Sequence, residues 1–135
     1  MNFIDTNLIV YANDRRDPEK QRRAVEVIQR EMRNRSGVIS IQVMQEYANT
    51  ALNKLEQQPA VVLRQLILLE SLTVVRPDPS MVRRAVELMT LFQVSFWDAS
   101  ILAAAESAAC RHLFSEDLNA GQAFGSVRVV NPFAT

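Results

Sequence analysis

Four acidic residues stand where an α/β protein builds its sites, at sequence positions far apart from one another. Asp5 follows the first short apolar run, and Glu46 lies in the second helical turn after the second run. Asp98 is near the start of a later helical segment, and Asp117 follows the fourth strand-like run, His112 to Ser115. Carboxylates brought to one cleft repel each other unless a proton or a cation compensates them. Hard oxygen donors of this kind select Mg²⁺ or Mn²⁺ over softer metals. Magnesium keeps several of its waters and takes only a few protein carboxylates, which leaves room for a phosphate oxygen. The chemistry such a set suggests is metal-assisted attack on a phosphoryl centre.

Taken singly, each acid also has an ordinary role. Asp5 suits the cap of the helix that follows, and Glu46 suits a solvated helix surface. Asp98 favours a helix N-terminus through the dipole, and Asp117 suits a turn. Glu116, beside Asp117, competes with it for the fourth position.

The elements that must position these residues alternate in type. Strands are expected at Asn2–Asp5, Val38–Ser40, Leu72–Val75, His112–Ser115 and Val127–Val130. A short helix covers Thr6–Asn13, and an amphipathic helix runs from Pro18 to Arg35, with Pro18 at its first position and Gly37 beyond its end. Further helices are expected from Ser40 or Ile41 to Lys54, from Pro59 to about Glu70, from Asp78 to Gln93, and from Ser95 onward. Ser95 and Asp98 form a variant capping box. Strands alternating with helices pair in parallel through right-handed crossovers. The fold class is therefore α/β: a three-layer α/β/α sandwich around a mainly parallel, about five-stranded sheet, in a single domain over residues 1–135. In such sheets ligands sit outside the carboxyl ends of the strands, where the four acids stand.

Composition narrows the function. With fifteen basic and fifteen acidic residues, the 135-residue chain lacks the excess charge of a basic nucleic-acid-binding domain. Nucleic acid as a substrate stays open, because an acidic centre and a basic patch cancel in the sum. The single cysteine, Cys110, excludes an internal disulfide framework and reads as a small buried hydrophobe. The apolar stretches are interrupted before the roughly 18 residues of a membrane span, and the expected location is cytoplasmic. Neither GxGxxG nor GxxxxGK[ST] occurs, so the phosphate cradles of dinucleotide and P-loop sites are missing. A receiver domain would need an acidic pair where Asp5-Thr6 stands, and a dehalogenase-type phosphatase would need an aspartate in place of Asn7. Trp97 is expected in the core beside Asp98, and the alanines at 103, 104 and 105 in a helix packed closely on the sheet. Arg15, Arg16, Lys20, Arg22 and Arg23, interrupted by acids, read as a solvated helix face.

Several segments together carry a resemblance that spans nearly the whole chain. Met1–Asn7 (MNFIDTN), Gln45-Glu46-Tyr47, Phe96-Trp97-Asp98-Ala99, Ser115-Glu116-Asp117-Leu118 and Val130-Asn131-Pro132-Phe133 resemble the PIN-domain family. Within it, they are similar to the VapC-like ribonuclease toxins of type II toxin–antitoxin modules. The resemblance implies an Mg²⁺- or Mn²⁺-dependent endoribonuclease that hydrolyses RNA, a cognate antitoxin protein that holds it inactive, and a homodimer. It implies Asp5, Glu46, Asp98 and Asp117 as catalytic, metal-ligating acids, with Thr6, Asn7 and Ser115 orienting them through hydrogen bonds. The residues from Gln57 to Gln93 match no motif, and the substrate-binding residues stay unassigned. Val61–Leu69 offers an apolar helix face for a dimer. The rival reading is a PIN-like binding or assembly module without turnover.

Overall fold

The computed structural model describes residues 1–134. In chain order the elements are β1 (Asn2–Ile4), α1 (Thr6–Ala12), α2 (Pro18–Arg33), β2 (Gly37–Ser40), α3 (Ile41–Asn53), α4 (Pro59–Leu69) and β3 (Thr73–Val75). They continue with α5 (Pro79–Phe92), α6 (Phe96–Ser107), β4 (His112–Phe114), β5 (Ala123–Phe124) and β6 (Val127–Val130). The sheet order is β3-β2-β1-β4-β6-β5, parallel throughout except for the β5–β6 pair.

The chain first moves outward from β1 to β2 to β3, then returns to the other side of β1 with β4. Right-handed crossovers in opposite directions place the connecting helices on opposite faces. So α1 to α4 pack with one another along one side, while α5 packs on α6. β1 lies at the reversal, in register with Val38 of β2 through Phe3, and with Leu113 and Phe114 of β4 through Phe3 and Ile4. Phe3, Ile4, Val38, Ile39 and Leu113 are fully buried. The gap at the carboxyl ends of β1 and β4 is the switch point where this architecture opens a crevice.

Local chemistry explains the helix starts. Pro18, Pro59 and Pro79 occupy first-turn positions where no backbone donor is missed. Asp17, Ser40, Asp78 and Ser95 accept hydrogen bonds from the amides of Lys20, Val43, Met81 and Asp98. The capping expected at Ser95 is thus present. α6 is buried at Ala99 and from Ile101 through Ala105, so it is a core helix without a wide polar face. Its small side chains let it sit close to the sheet, as expected.

One expectation is extended and one is corrected. The sheet has a sixth strand, β5, whose two residues pair antiparallel with β6 across a turn at Gly125 (φ +63°). A pair of residues is too short to leave a periodic signal. Trp97 is not core packing: it is 64% exposed, with its ring edge-on to Phe96 at 5.2 Å between centroids. The buried stripe of α6 turns inward at Ala99 and Ile101, which leaves position 97 on the outside.

Gly37 opens β2 in a tight place. A Cβ there would lie 2.6 Å from Cδ2 of Leu72 and 3.0 Å from Cβ of Glu31. Glu31 is itself buried and fixed, accepting from Asn2 (2.6 Å) and Ser36 (2.8 Å). Gly37→Ala is therefore expected to destabilise the protein by about 1–3 kcal/mol through overpacking. Urea unfolding measures this, and an unchanged midpoint would show that Leu72 and α2 yield freely.

Among the described residues, no single helix is long and apolar enough to cross a membrane.

Candidate active site

β1 ends at Ile4, and the next residue, Asp5, caps α1. Its carboxylate accepts from the Thr6 amide at 2.7 Å and from the Ser115 hydroxyl at 2.7 Å, and it is 5% exposed. Burial pushes its pKa from 3.8 up to about 6. The two hydrogen bonds pull it down, while the charges of Asp117 and Glu46 add to the rise. Asp5 is thus both a cap and an acid under electrostatic load.

Thr6 and Asn7, the first two residues of α1, reach the other acids. Thr6 Oγ1 donates to Glu46 Oε1 at 2.7 Å and ties α1 to α3. Asn7 Nδ2 donates to Asp117 Oδ2 at 3.1 Å, and its Oδ1 accepts from the Glu116 amide at 3.3 Å. Ser115, fully buried after β4, donates to Asp5 and accepts from the Asp117 amide at 3.1 Å. All three polar residues stand between the acids and hydrogen-bond to them.

Asp98 sits half-buried in the first turn of α6 with its amide on Ser95. Its pKa is raised, first by burial and then by the Asp117 charge, against a lowering contribution from Ser95. Asp98 and Asp117 share a polar cleft with Gln93, Asn119 and Gln122. These three amides went unnoticed in the sequence. Gln93 ends α5 in the left-handed conformation (φ 54°), which turns the chain toward Ser95 and Asp98.

Glu116 and Asp117 diverge. Glu116 accepts from Tyr11 Oη at 2.8 Å and from Lys20 Nζ, away from the other acids. Burial raises its pKa, but Lys20 and Tyr11 outweigh this and the net shift is downward. Of the other basic residues in this stretch, Arg16 pairs with Asp14, and Arg22 and Arg23 pair with Glu19. The basic cluster of α2 is therefore largely an ion-paired face.

Asp5, Glu46, Asp98 and Asp117 differ in having no ion-pair partner among the described residues. Their donors are all oxygen, as a hard divalent cation requires. Among the described residues, no three His, Cys, Asp or Glu side chains converge tightly enough to enclose one ion. The set is an open one, of the kind Mg²⁺ occupies through one or two carboxylates and its own waters. The uncompensated like charge and the donor chemistry fit such an ion.

This topology has counterparts. Residues 3–123 match the PIN domain, and the chain belongs to that family. Its fold is shared with a toxin–antitoxin complex from Klebsiella pneumoniae, at a TM-score of 0.73 and 20% identity over 100% of both chains. It is shared with VapC20 of Mycobacterium tuberculosis, a sarcin–ricin-loop-cleaving toxin, at 0.68 and 18% identity over 87% of this chain and 92% of that one. VapBC2 of Rickettsia felis, bound to a DNA fragment from its promoter, aligns at 0.64 and 17% identity over 86% of each chain. At these identities the likeness is one of fold. No curated protein matches the sequence significantly.

Proposed function

We propose that this chain is a metal-dependent endoribonuclease and the toxin of a type II toxin–antitoxin pair. The observation that carries the reading is the unpaired carboxylate set of Asp5, Glu46, Asp98 and Asp117 at the switch point of a PIN domain. The similarity in fold to VapC toxins and toxin–antitoxin complexes supports the assignment to RNA and to an antitoxin partner.

Asp5, Asp98 and Asp117, with Glu46 beside them, would hold Mg²⁺ or Mn²⁺. When bound, the ion supplies polarisation of the scissile phosphate and activation of the attacking water. Ser115 and the Thr6 amide fix the direction of Asp5, Asn7 fixes Asp117, and Thr6 fixes Glu46. Any of the four carboxylates not bound to the ion would serve as general base toward the attacking water. The antitoxin would cover the acidic cleft, where an arginine suits the carboxylates by bidentate pairing. A homodimer has an available face on α4, where Leu63, Ile67 and Leu68 are 61%, 67% and 58% exposed.

The test is to sequence RNA ends after total cellular RNA is incubated with wild type or Asp98→Asn, in Mg²⁺, Mn²⁺ or chelator. Discrete new ends are expected only for wild type with metal. Equal cleavage in chelator, or by Asp98→Asn, would overturn the nuclease reading, and metal binding without any cleavage would favour a binding module.

A further inference from the structure

Asp117 is exposed and is held through only one contact to its carboxylate, the 3.1 Å hydrogen bond from Asn7. Asp5 and Asp98 both feel its charge. The Asp117 amide is held on Ser115 Oγ, and a further hold on the segment after β4 lies on the adjacent residue. The Glu116 amide donates to Asn7 Oδ1, while its carboxylate receives Tyr11 Oη on one oxygen and Lys20 Nζ on the other.

Lys20 is placed with more care than a solvated lysine needs. Its ammonium also donates to Tyr11 Oη at 3.2 Å, lies 4.5 Å from the Tyr11 ring centroid and 5.3 Å from that of Phe133. Tyr11 and Phe133 meet edge to face at 5.1 Å. Arg23 donates to the carbonyls of Pro132 and Phe133, each at 3.4 Å, which keeps the Phe133 wall of this cage in place. The cage draws on α1, α2, the segment after β4 and the segment after β6. Most exposed ion pairs contribute little. This one is half-buried, shares three polar groups and has two aromatic faces against the cation.

We propose that Lys20, caged by Tyr11 and Phe133, is a positioning residue of the site: it latches Glu116 so that Asp117 is held against the other acids. The proposal rests on the metal-dependent reading above. Lys20 itself touches none of Asp5, Glu46, Asp98 or Asp117; it acts through Glu116.

Lys20→Met keeps the aliphatic stem and removes the charge. Loss of an outer partner of a metal ligand typically costs 10–100-fold in metal affinity or activity. The half-saturating Mn²⁺ concentration, read from the thermal shift, is expected to rise by about that factor, with kcat reduced and KM for RNA unchanged. Glu116→Gln should fall in the same direction, the double variant should be no worse than the poorer single one, and Lys20→Arg should recover most of the loss. Hydrogen exchange in chelator supplies a readout independent of metal: the Glu116 and Asp117 amides should lose protection in Lys20→Met, with the β-strand amides unchanged. A raised KM and a weaker salt dependence, with Mn²⁺ response and exchange as in wild type, would overturn the latch and make Lys20 a phosphate contact. A wild type without any Mn²⁺ response overturns the reading beneath it, whereas an unchanged Lys20→Met beside a responsive wild type overturns the latch alone.

Discussion

Asp5→Asn is expected to remove RNA cleavage by at least about 100-fold and, in the metal-free protein at pH 7.5, to raise stability. The first effect takes as its floor the upper end of the loss caused by deleting an outer partner of a metal ligand. The second follows from linkage. The native pKa of Asp5 is about 6 against an ordinary 3.8, because burial and two neighbouring acids disfavour its charge. A carboxyl raised on folding helps the native state while it is protonated, below pH 3.8, and that help is lost as pH rises through about 6. The gap corresponds to roughly 3 kcal/mol between the two charge states. Asparagine abolishes the charge and keeps an oxygen for the Thr6 amide. Its amide group, however, must face Ser115 Oγ, which already accepts from the Asp117 amide and lies 3.4 Å from Asn7 Nδ2. The expected gain is therefore only part of the whole, about 1–2 kcal/mol. Urea unfolding of both proteins in chelator at pH 4.5 and 7.5 decides it: wild type should lose ground relative to the variant as pH rises. A wild type that gains on Asp5→Asn over that interval would show that the buried carboxylate is compensated within the protein.

That stability is given up at Asp5 fits a general pattern, in which sites conflict with local preference and the rest of the fold agrees with it. Agreement of this kind is why most of the architecture was readable. Phe3-Ile4 and Val38-Ile39 are short apolar runs bounded by helix starts, and proline or serine marks where helices begin, so the alternating pattern and its parallel sheet followed. β5 was invisible because Ala123-Phe124 acquires its strand geometry from β6 rather than from its own pattern. Trp97 misled because an aromatic residue in an apolar helix reads as core, while the face that is buried is set by the small residues from Ala103 to Ala105.

Among the candidate residues, Asp5 was legible because it adjoins a strand end, and strand ends converge in this topology; Thr6, Asn7 and Ser115 came from the resemblance alone. Telling Glu116 from Asp117 was not possible from position alone. The two neighbours point to different partners, and Lys20, which sorts them, lies 96 residues away in sequence. Gln93, Asn119 and Gln122 carried no signal, since amides at a helix end and in a loop are ordinary there. They share the cleft of Asp98 and Asp117 because the left-handed turn at Gln93 and the segment before β5 meet beside it.

Mn²⁺ should reverse the pH dependence that Asp5 imposes. A ligand at 100 times its dissociation constant adds about 2.7 kcal/mol to the stability of the state that binds it. Ligating carboxylates must be deprotonated, so protons compete with the ion. Above pH 6 Asp5 is charged and ready, and the cost of that charge in the free protein is the reservoir the cation relieves. Below it, apparent affinity should fall by about tenfold for each pH unit if one proton is displaced. The pKa of Asp98 is raised as well, first by burial, which acts in the same direction. Thermal unfolding at fixed Mn²⁺ across pH 5 to 8 should therefore show little metal stabilisation at the acid end and most of it above neutrality. Asp5→Asn should show a small and nearly pH-independent increment, because its first titrating ligand is gone. A wild-type increment that is flat from pH 5 to 8, or one that survives intact in Asp5→Asn, would place the cation away from the switch point and leave the strain on Asp5 without the partner that explains it.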